Sequence, residues 1–242
     1  MNILAIGNSF SQDATRYLHQ IARCAGDKIN VVNLYIGGCP LSKHYANMLS
    51  EDDAYWLEYN GHCTDFKVSL KEALLNREWD YITLQQVSSQ SVRYDTYQPY
   101  LNELCAYVRK HAPKAKIVIH QTWFYEKGSK LLCENQGYNE PAEMMADVKA
   151  AYINAANDID AYMTIPSGEL FMALCDNGIE RIHRDTFHAS YGLGRYALGL
   201  LWYACLTGKD IGDNTFCDFD EEVTQEEIQI AKKCVKSLTT AK

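Results

Sequence analysis

The feature that most limits what this chain can fold into is its alternation of short apolar runs with amphipathic segments of helical period. Residues 2–6, 30–35, 80–85, 116–121 and, more weakly, 161–165 have strand length and composition. The first is apolar enough to be buried on both faces, as parallel strands are. Helical patterns follow at 13–24, 41–49, 69–76, 97–111, 141–157, 167–175 and 191–206. Pro113 requires the helix before it to end, and Pro141 suits a first helical position. Thr224, with Glu227 three residues on, has the pattern of a capping box for a last helix. The single interruption is Asn60-Gly61 between residues 55–59 and 63–68, the strongest two-residue hairpin signal. Strands alternating with helices predict a parallel sheet covered on both faces. No repeat, low-complexity segment or linker divides the 242 residues, so one domain over 1–242 is expected.

Composition narrows the function classes. The balance of 23 basic against 31 acidic residues gives a net charge of −8, which argues against nucleic-acid or anionic-membrane partners. No apolar run approaches the ~18 residues of a membrane span. The first strand begins at once, without the basic and apolar regions of a signal peptide, so a cytoplasmic protein is expected. The nine cysteines are scattered and form no C-x-x-C, which predicts reduced, free thiols rather than a zinc ribbon or redox motif.

Two stretches carry chemistry. In the first, Gly7 closes the first strand and permits a sharp turn, and Ser9 follows it. Ligands of open α/β sheets bind at the carboxyl ends of strands, where this hydroxyl is aimed. Serine is also a preferred helix cap, so Ser9 and Ser11 taken alone read equally well as caps. In the second, Asp185 and His188 stand three apart in a loop that enters a helix. That spacing lets the carboxylate hold the inner imidazole nitrogen and leaves the outer one to accept a proton from a serine. An isolated pair of this kind is more often a turn cap and a satisfied helix-start histidine. His183 would add a third metal ligand, but no second cluster completes a site, since His62 and His120 are isolated; no metal is expected. The elbow G-x-S-x-G is not met, because position 11 is serine, and no G-x-G-x-x-G follows the first strand.

Together, Gly7-Asn8-Ser9-Phe10-Ser11 and Asp185-x-x-His188 resemble the SGNH hydrolases, or GDSL-type esterases, over residues 1–207. The resemblance implies an α/β fold, a flavodoxin-like three-layer α/β/α sandwich. Its five parallel strands would run in the order 2-1-3-4-5, with the hairpin as a small insertion. It implies Ser9 as nucleophile, His188 as general base, Asp185 as its orienting carboxylate, and the N–H of Gly38 in an oxyanion hole. The superfamily's G-x-N-D after the third strand is absent; the chain reads Leu84-Gln-Gln-Val-Ser-Ser-Gln90. A glutamine amide offers the same donor on a longer arm. Gln86 is the expected donor, with Gln85, Ser88 and Gln90 as alternatives. Together with His120-Gln-Thr-Trp123, this departure looks like a separate branch of the superfamily. Gln121 and Trp123 are candidates for a substrate wall, Trp123 equally for the core. The implied activity is hydrolysis of an ester, such as an acetyl group on a carbohydrate, with no cofactor and a small-molecule or carbohydrate ester as partner. A non-catalytic glycan-binding module and an acyltransferase using the same triad are the alternatives. Oligomeric state is left open.

Overall fold

The computed structural model describes residues 1–239. Its sheet is organised on β1 (Asn2–Gly7), where Ile3, Leu4, Ala5 and Ile6 are at most 1% exposed. Such burial stabilises by roughly 1.5–3 kcal/mol per large aliphatic side chain, which holds this strand at the centre. β2 (Asn30–Tyr35) pairs with it in parallel, Gly7 opposite Tyr35. The Asn60-Gly61 turn, with φ of +52 and +87, joins β3 (Tyr55–Tyr59) to β4 (His62–Val68). Positive φ at both positions is what a type I′ hairpin turn requires. On the other side of β1 lie β5 (Tyr81–Leu84), β6 (Lys116–His120) and β7 (Met163–Ile165), all parallel.

The five parallel strands therefore have the expected order. The hairpin, however, is part of the sheet rather than an insertion beside it. β3 pairs antiparallel with β2, Tyr35 opposite Trp56, so the full sheet has seven strands in the order β4-β3-β2-β1-β5-β6-β7. Pairing in this way covers the open edge that β2 would otherwise present.

The helices are α1 (Ser9–Thr15), α2 (Leu18–Cys24), α3 (Leu41–Ser50), α4 (Leu70–Leu75), α5 (Tyr100–His111), α6 (Pro141–Asp158), α7 (Ser167–Asp176), α8 (Leu193–Thr207) and α9 (Gln225–Thr239). The sheet grows from β1 in two directions, and right-handed crossovers then place the connecting helices on opposite faces. α1, α2, α8 and α9 contact one another on one side; α3, α4 and α5 do so on the other. α8 is buried almost all round, as a helix apolar on every side must be. The Thr224–Glu227 capping box is formed at α9.

Two local expectations change. The helix expected over 13–24 begins four residues earlier and is two helices, α1 and α2. The break falls at Arg16 and Tyr17, whose side chains are drawn to Asp220: Arg16 forms an ion pair with it at 2.6 Å, and the Tyr17 hydroxyl accepts its N–H at 2.7 Å. Gly7 does not turn the chain but stays in β1. It is needed for close approach, since a Cβ there would lie 2.5 Å from Ser11 Oγ and 3.0 Å from Gln85 Cδ. Among the described residues no cysteine forms a disulfide. Among the described residues no helix is long and apolar enough to cross a membrane.

Candidate active site

Ser9 lies where β1 meets α1, at the point where the sheet grows in opposite directions toward β2 and β5. The helix cap is Asn8, not a serine. Asn8 is extended (φ −147, ψ −152), and its Oδ1 accepts the N–H of Phe10 at 3.0 Å. Ser11 is buried, with its hydroxyl bonded to Asn8 O and Asn33 Oδ1. Neither serine side chain caps α1, and the hydroxyl of Ser9 is left partly exposed for other use.

His188 reaches that hydroxyl. Its Nε2 is 2.8 Å from Ser9 Oγ, across 179 positions of sequence, and its Nδ1 is 2.7 Å from Asp185 Oδ2. The other oxygen of Asp185 accepts the N–H groups of Thr186, Phe187 and His188 at 3.0, 3.1 and 2.8 Å. The aspartate thus both caps its own turn and holds the imidazole. Partial burial works to raise its carboxyl, but the bonds from the His188 ring and the backbone outweigh that and hold it below the usual range. An ionised carboxylate at Nδ1 fixes the tautomer in which Nε2 accepts the serine proton.

The loop carrying this pair is closed by a bridge between His183 and Ala189 and anchored at several points. Trp123 Nε1 donates to Phe187 O at 2.7 Å, and Glu126 N to Thr186 O at 2.8 Å. Arg184 Nη1 grips both oxygens of Asp13 at 2.9 and 2.8 Å. Asp13 is fully buried on α1 and also accepts Arg195 Nε of α8 at 2.8 Å. Asp13 therefore ties the helix of Ser9 to the loop of His188. Neither Asp13 nor Arg184 figured in the sequence reading. An acidic residue on the apolar face of one helix and an arginine in another were the available signal, since buried charges need partners.

Other expectations are corrected. Gln86 is fully buried and its amide is committed elsewhere. Its Oε1 accepts Leu41 N and Val87 N, each at 2.9 Å, and its Nε2 donates to Thr96 O and Oγ1 at 3.1 and 3.2 Å. It serves the start of α3, not an oxyanion. Of the alternatives, Gln85 donates to Asn8 Oδ1 at 2.7 Å, and Ser88 Oγ accepts the Tyr125 hydroxyl at 3.0 Å. Gln90 is half-buried. Gln121 is buried, its Oε1 accepting Gly168 N at 3.0 Å at the start of α7. Trp123 is wholly buried, stacked 4.0 Å from Phe10 and 4.7 Å from Phe171. Neither Gln121 nor Trp123 can line a substrate wall. His183 donates to Phe124 O at 3.2 Å and packs edge-on to Phe124 and Phe171.

Gly38 sits in the turn after β2 with φ +61, a left-handed conformation that favours glycine. The Asn8 side chain ties this turn to Ser9, donating from Nδ2 to Cys39 O at 3.1 Å. Among the described residues neither Ser9 N–H nor Gly38 N–H has a hydrogen-bond acceptor. Two backbone donors are thus uncommitted, one at the start of α1 and one in the turn after β2, while the strand-end glutamines are used inside the protein.

Comparison with known proteins places this geometry. The model of the family described as "Domain of unknown function (DUF4886)" matches residues 2–237. The crystal structure of a DUF4886 family protein from Bacteroides uniformis superposes with TM-score 0.90 at 29% identity, covering 100% of this chain and 95% of that one. A candidate SGNH hydrolase from Slackia heliotrinireducens gives TM-score 0.59 at 22% identity, over 84% and 97% of the two chains. An acetyl xylan esterase variant from Geobacillus stearothermophilus gives 0.52 at 13%, over 90% and 97%. The fold is that of the SGNH hydrolases, as the motifs implied. No curated protein matches the sequence.

Proposed function

The chain belongs to the DUF4886 family, and on that footing we propose that it is a serine esterase working through Ser9, His188 and Asp185. One observation carries the reading: Ser9 Oγ, His188 Nε2, His188 Nδ1 and Asp185 Oδ2 form an unbroken chain with links of 2.8 and 2.7 Å. In the proposed reaction Ser9 Oγ attacks the ester carbonyl while His188 Nε2 takes its proton. The N–H groups of Ser9 and Gly38 donate to the oxyanion. His188 returns the proton to the departing alcohol, and water then releases the acid by the same steps. A module that only held a glycan would have no need of this alignment.

A sugar ester, with a small acyl group such as acetyl, is the proposed substrate. The fold shared with an acetyl xylan esterase supports this. An exposed aromatic ring at the carboxyl-end side of the sheet is consistent with it. Trp56, 40% exposed, is the cross-strand partner of Tyr35, just before the Gly38 turn. A flat ring of this kind suits the apolar faces of sugars.

The test measures acetate release from acetylated xylo-oligosaccharides and hydrolysis of p-nitrophenyl acetate, beside fluorophosphonate labelling mapped by peptide mass. Hydrolysis and labelling at Ser9, both lost in Ser9→Ala, are expected. Neither activity nor labelling in the wild type, or labelling elsewhere, ends the esterase reading. Activity on the aryl ester alone ends the carbohydrate reading.

A further inference from the structure

We infer that Gln85 and His120 are positioning residues: with Ser167 they form a one-directional hydrogen-bond relay that orients the Asn8 amide and so sets Ser9 and the Gly38 turn in register. This rests on the esterase reading of Ser9. The relay runs along the carboxyl ends of all five parallel strands in spatial order. Ser167, after β7, lies with Oγ 3.1 Å from His120 Nε2 at the end of β6. His120 Nδ1 is 2.7 Å from Gln85 Oε1, just past β5. Gln85 Nε2 donates to Asn8 Oδ1 at 2.7 Å, just past β1. Asn8 Nδ2 donates to Cys39 O at 3.1 Å, in the loop after β2.

Each link dictates the next. The Cys39 carbonyl only accepts, so Asn8 must turn Nδ2 toward it. Asn8 Oδ1 then faces two donors, Phe10 N–H and Gln85 Nε2. Gln85 Oε1 is left facing His120, whose Nδ1 must carry the proton. A neutral imidazole then offers Nε2 to the hydroxyl of Ser167. Burial supports the neutral ring: His120 is fully enclosed, packed edge-on to Trp202 at 4.9 Å, and desolvation pushes its pKa down to about 3. The direction of the relay therefore holds across the range in which an esterase works. All four side chains are buried, where an unpaired amide or ring nitrogen is costly.

The consequence falls on catalysis through Asn8. Reversing its amide would set Nδ2 against the N–H of Phe10 and detach the Gly38 turn. Phe10 N–H, the Cys39 carbonyl and Gln85 Nε2 all oppose the reversal, and Gln85 is the one of the three that ties Asn8 to the strands beyond β1. Without it the two uncommitted N–H groups, on different segments, lose their common aim, and a misplacement of about 1 Å costs on the order of 10²-fold in rate.

The experiment compares wild type with Gln85→Met, which keeps length and bulk but can neither donate to Asn8 nor accept from His120, and with Asn8→Ser, which keeps a cap for α1 but loses the donor to Cys39 O. Rates for p-nitrophenyl acetate are expressed per fluorophosphonate-titrated site, so misfolded protein does not count. In both variants kcat should fall about tenfold to a hundredfold, with KM within twofold and the pH at half-maximal rate unmoved. Amide hydrogen exchange in peptides spanning residues 8–14 and 36–44 should quicken at least tenfold. A kcat per site within twofold of wild type overturns the proposal, as does unchanged exchange. If the wild type cleaves no ester, the esterase reading falls by itself, and the exchange still decides whether the relay holds the two segments.

Discussion

Acidification should destabilise this protein more steeply than a chain with exposed histidines, because three imidazoles are buried in the neutral form. His44 is fully enclosed, stacked 5.6 Å from Tyr55, with Nδ1 3.0 Å from the Tyr55 hydroxyl and Nε2 without a partner. Desolvation holds its pKa down at about 3. His120 is likewise held at about 3. Burial lowers His183 to about 4, partly offset by the Phe124 carbonyl and Asp185. Unfolded, each would take up a proton near pH 6.5. Between the two values the unfolded chain binds protons that the folded one refuses, so stability falls as pH drops below about 6.5. Each group contributes a slope of about 1.36 kcal/mol per pH unit. The unfolded imidazole is only half protonated at pH 6.5, so from there to pH 4.5 the loss is on the order of 2 kcal/mol per histidine, against a usual total stability of about 5–15. Asp13 works the other way, since burial raises its carboxyl despite Arg184 and Arg195. The decisive measurement is therefore a difference. Urea unfolding from pH 4.5 to 7.5 should show His44→Gln losing about 2 kcal/mol less than wild type between pH 6.5 and 4.5. Parallel curves for the two proteins would refute the argument.

Other consequences follow from the site's construction. Ser9→Ala and His188→Ala should each lower ester hydrolysis by orders of magnitude, and the double variant should be little worse than either, as groups acting as a unit do; additive losses in kcat would contradict a shared role. Gln86→Ala should cost stability, about 1–3 kcal/mol by urea unfolding, because it strands Leu41 N and Val87 N, while kcat per folded molecule stays within about threefold. Arg184→Ala leaves Asp13 buried with half its guanidinium partners and should cost about 3–5 kcal/mol; a loss below 1 kcal/mol would show that Arg195 alone suffices.

What local pattern controls, the sequence by itself determined. The five parallel strands follow from short apolar runs alternating with helical patterns, and their order from the resemblance that the motifs at Ser9 and His188 carried. The hairpin follows from Asn60-Gly61, where both residues take positive φ. Ser9, Asp185 and His188 stood out as candidates because the motifs at the two ends of the chain have few other readings in common, and their side chains lie within hydrogen-bond reach. What only tertiary structure decided is where each buried amide points. Gln85 and Gln86 are adjacent and chemically identical, yet one faces Asn8 and His120 while the other faces Leu41 and Thr96. Successive residues leaving a strand project to opposite faces, so a shift of one position exchanges their partners completely. Trp123 was ambiguous for the same reason, and its burial between Phe10 and Phe171 depends on helices more than a hundred positions apart. A side chain's type records what it can donate or accept; which donor or acceptor it meets is set by strands and helices distant in the chain.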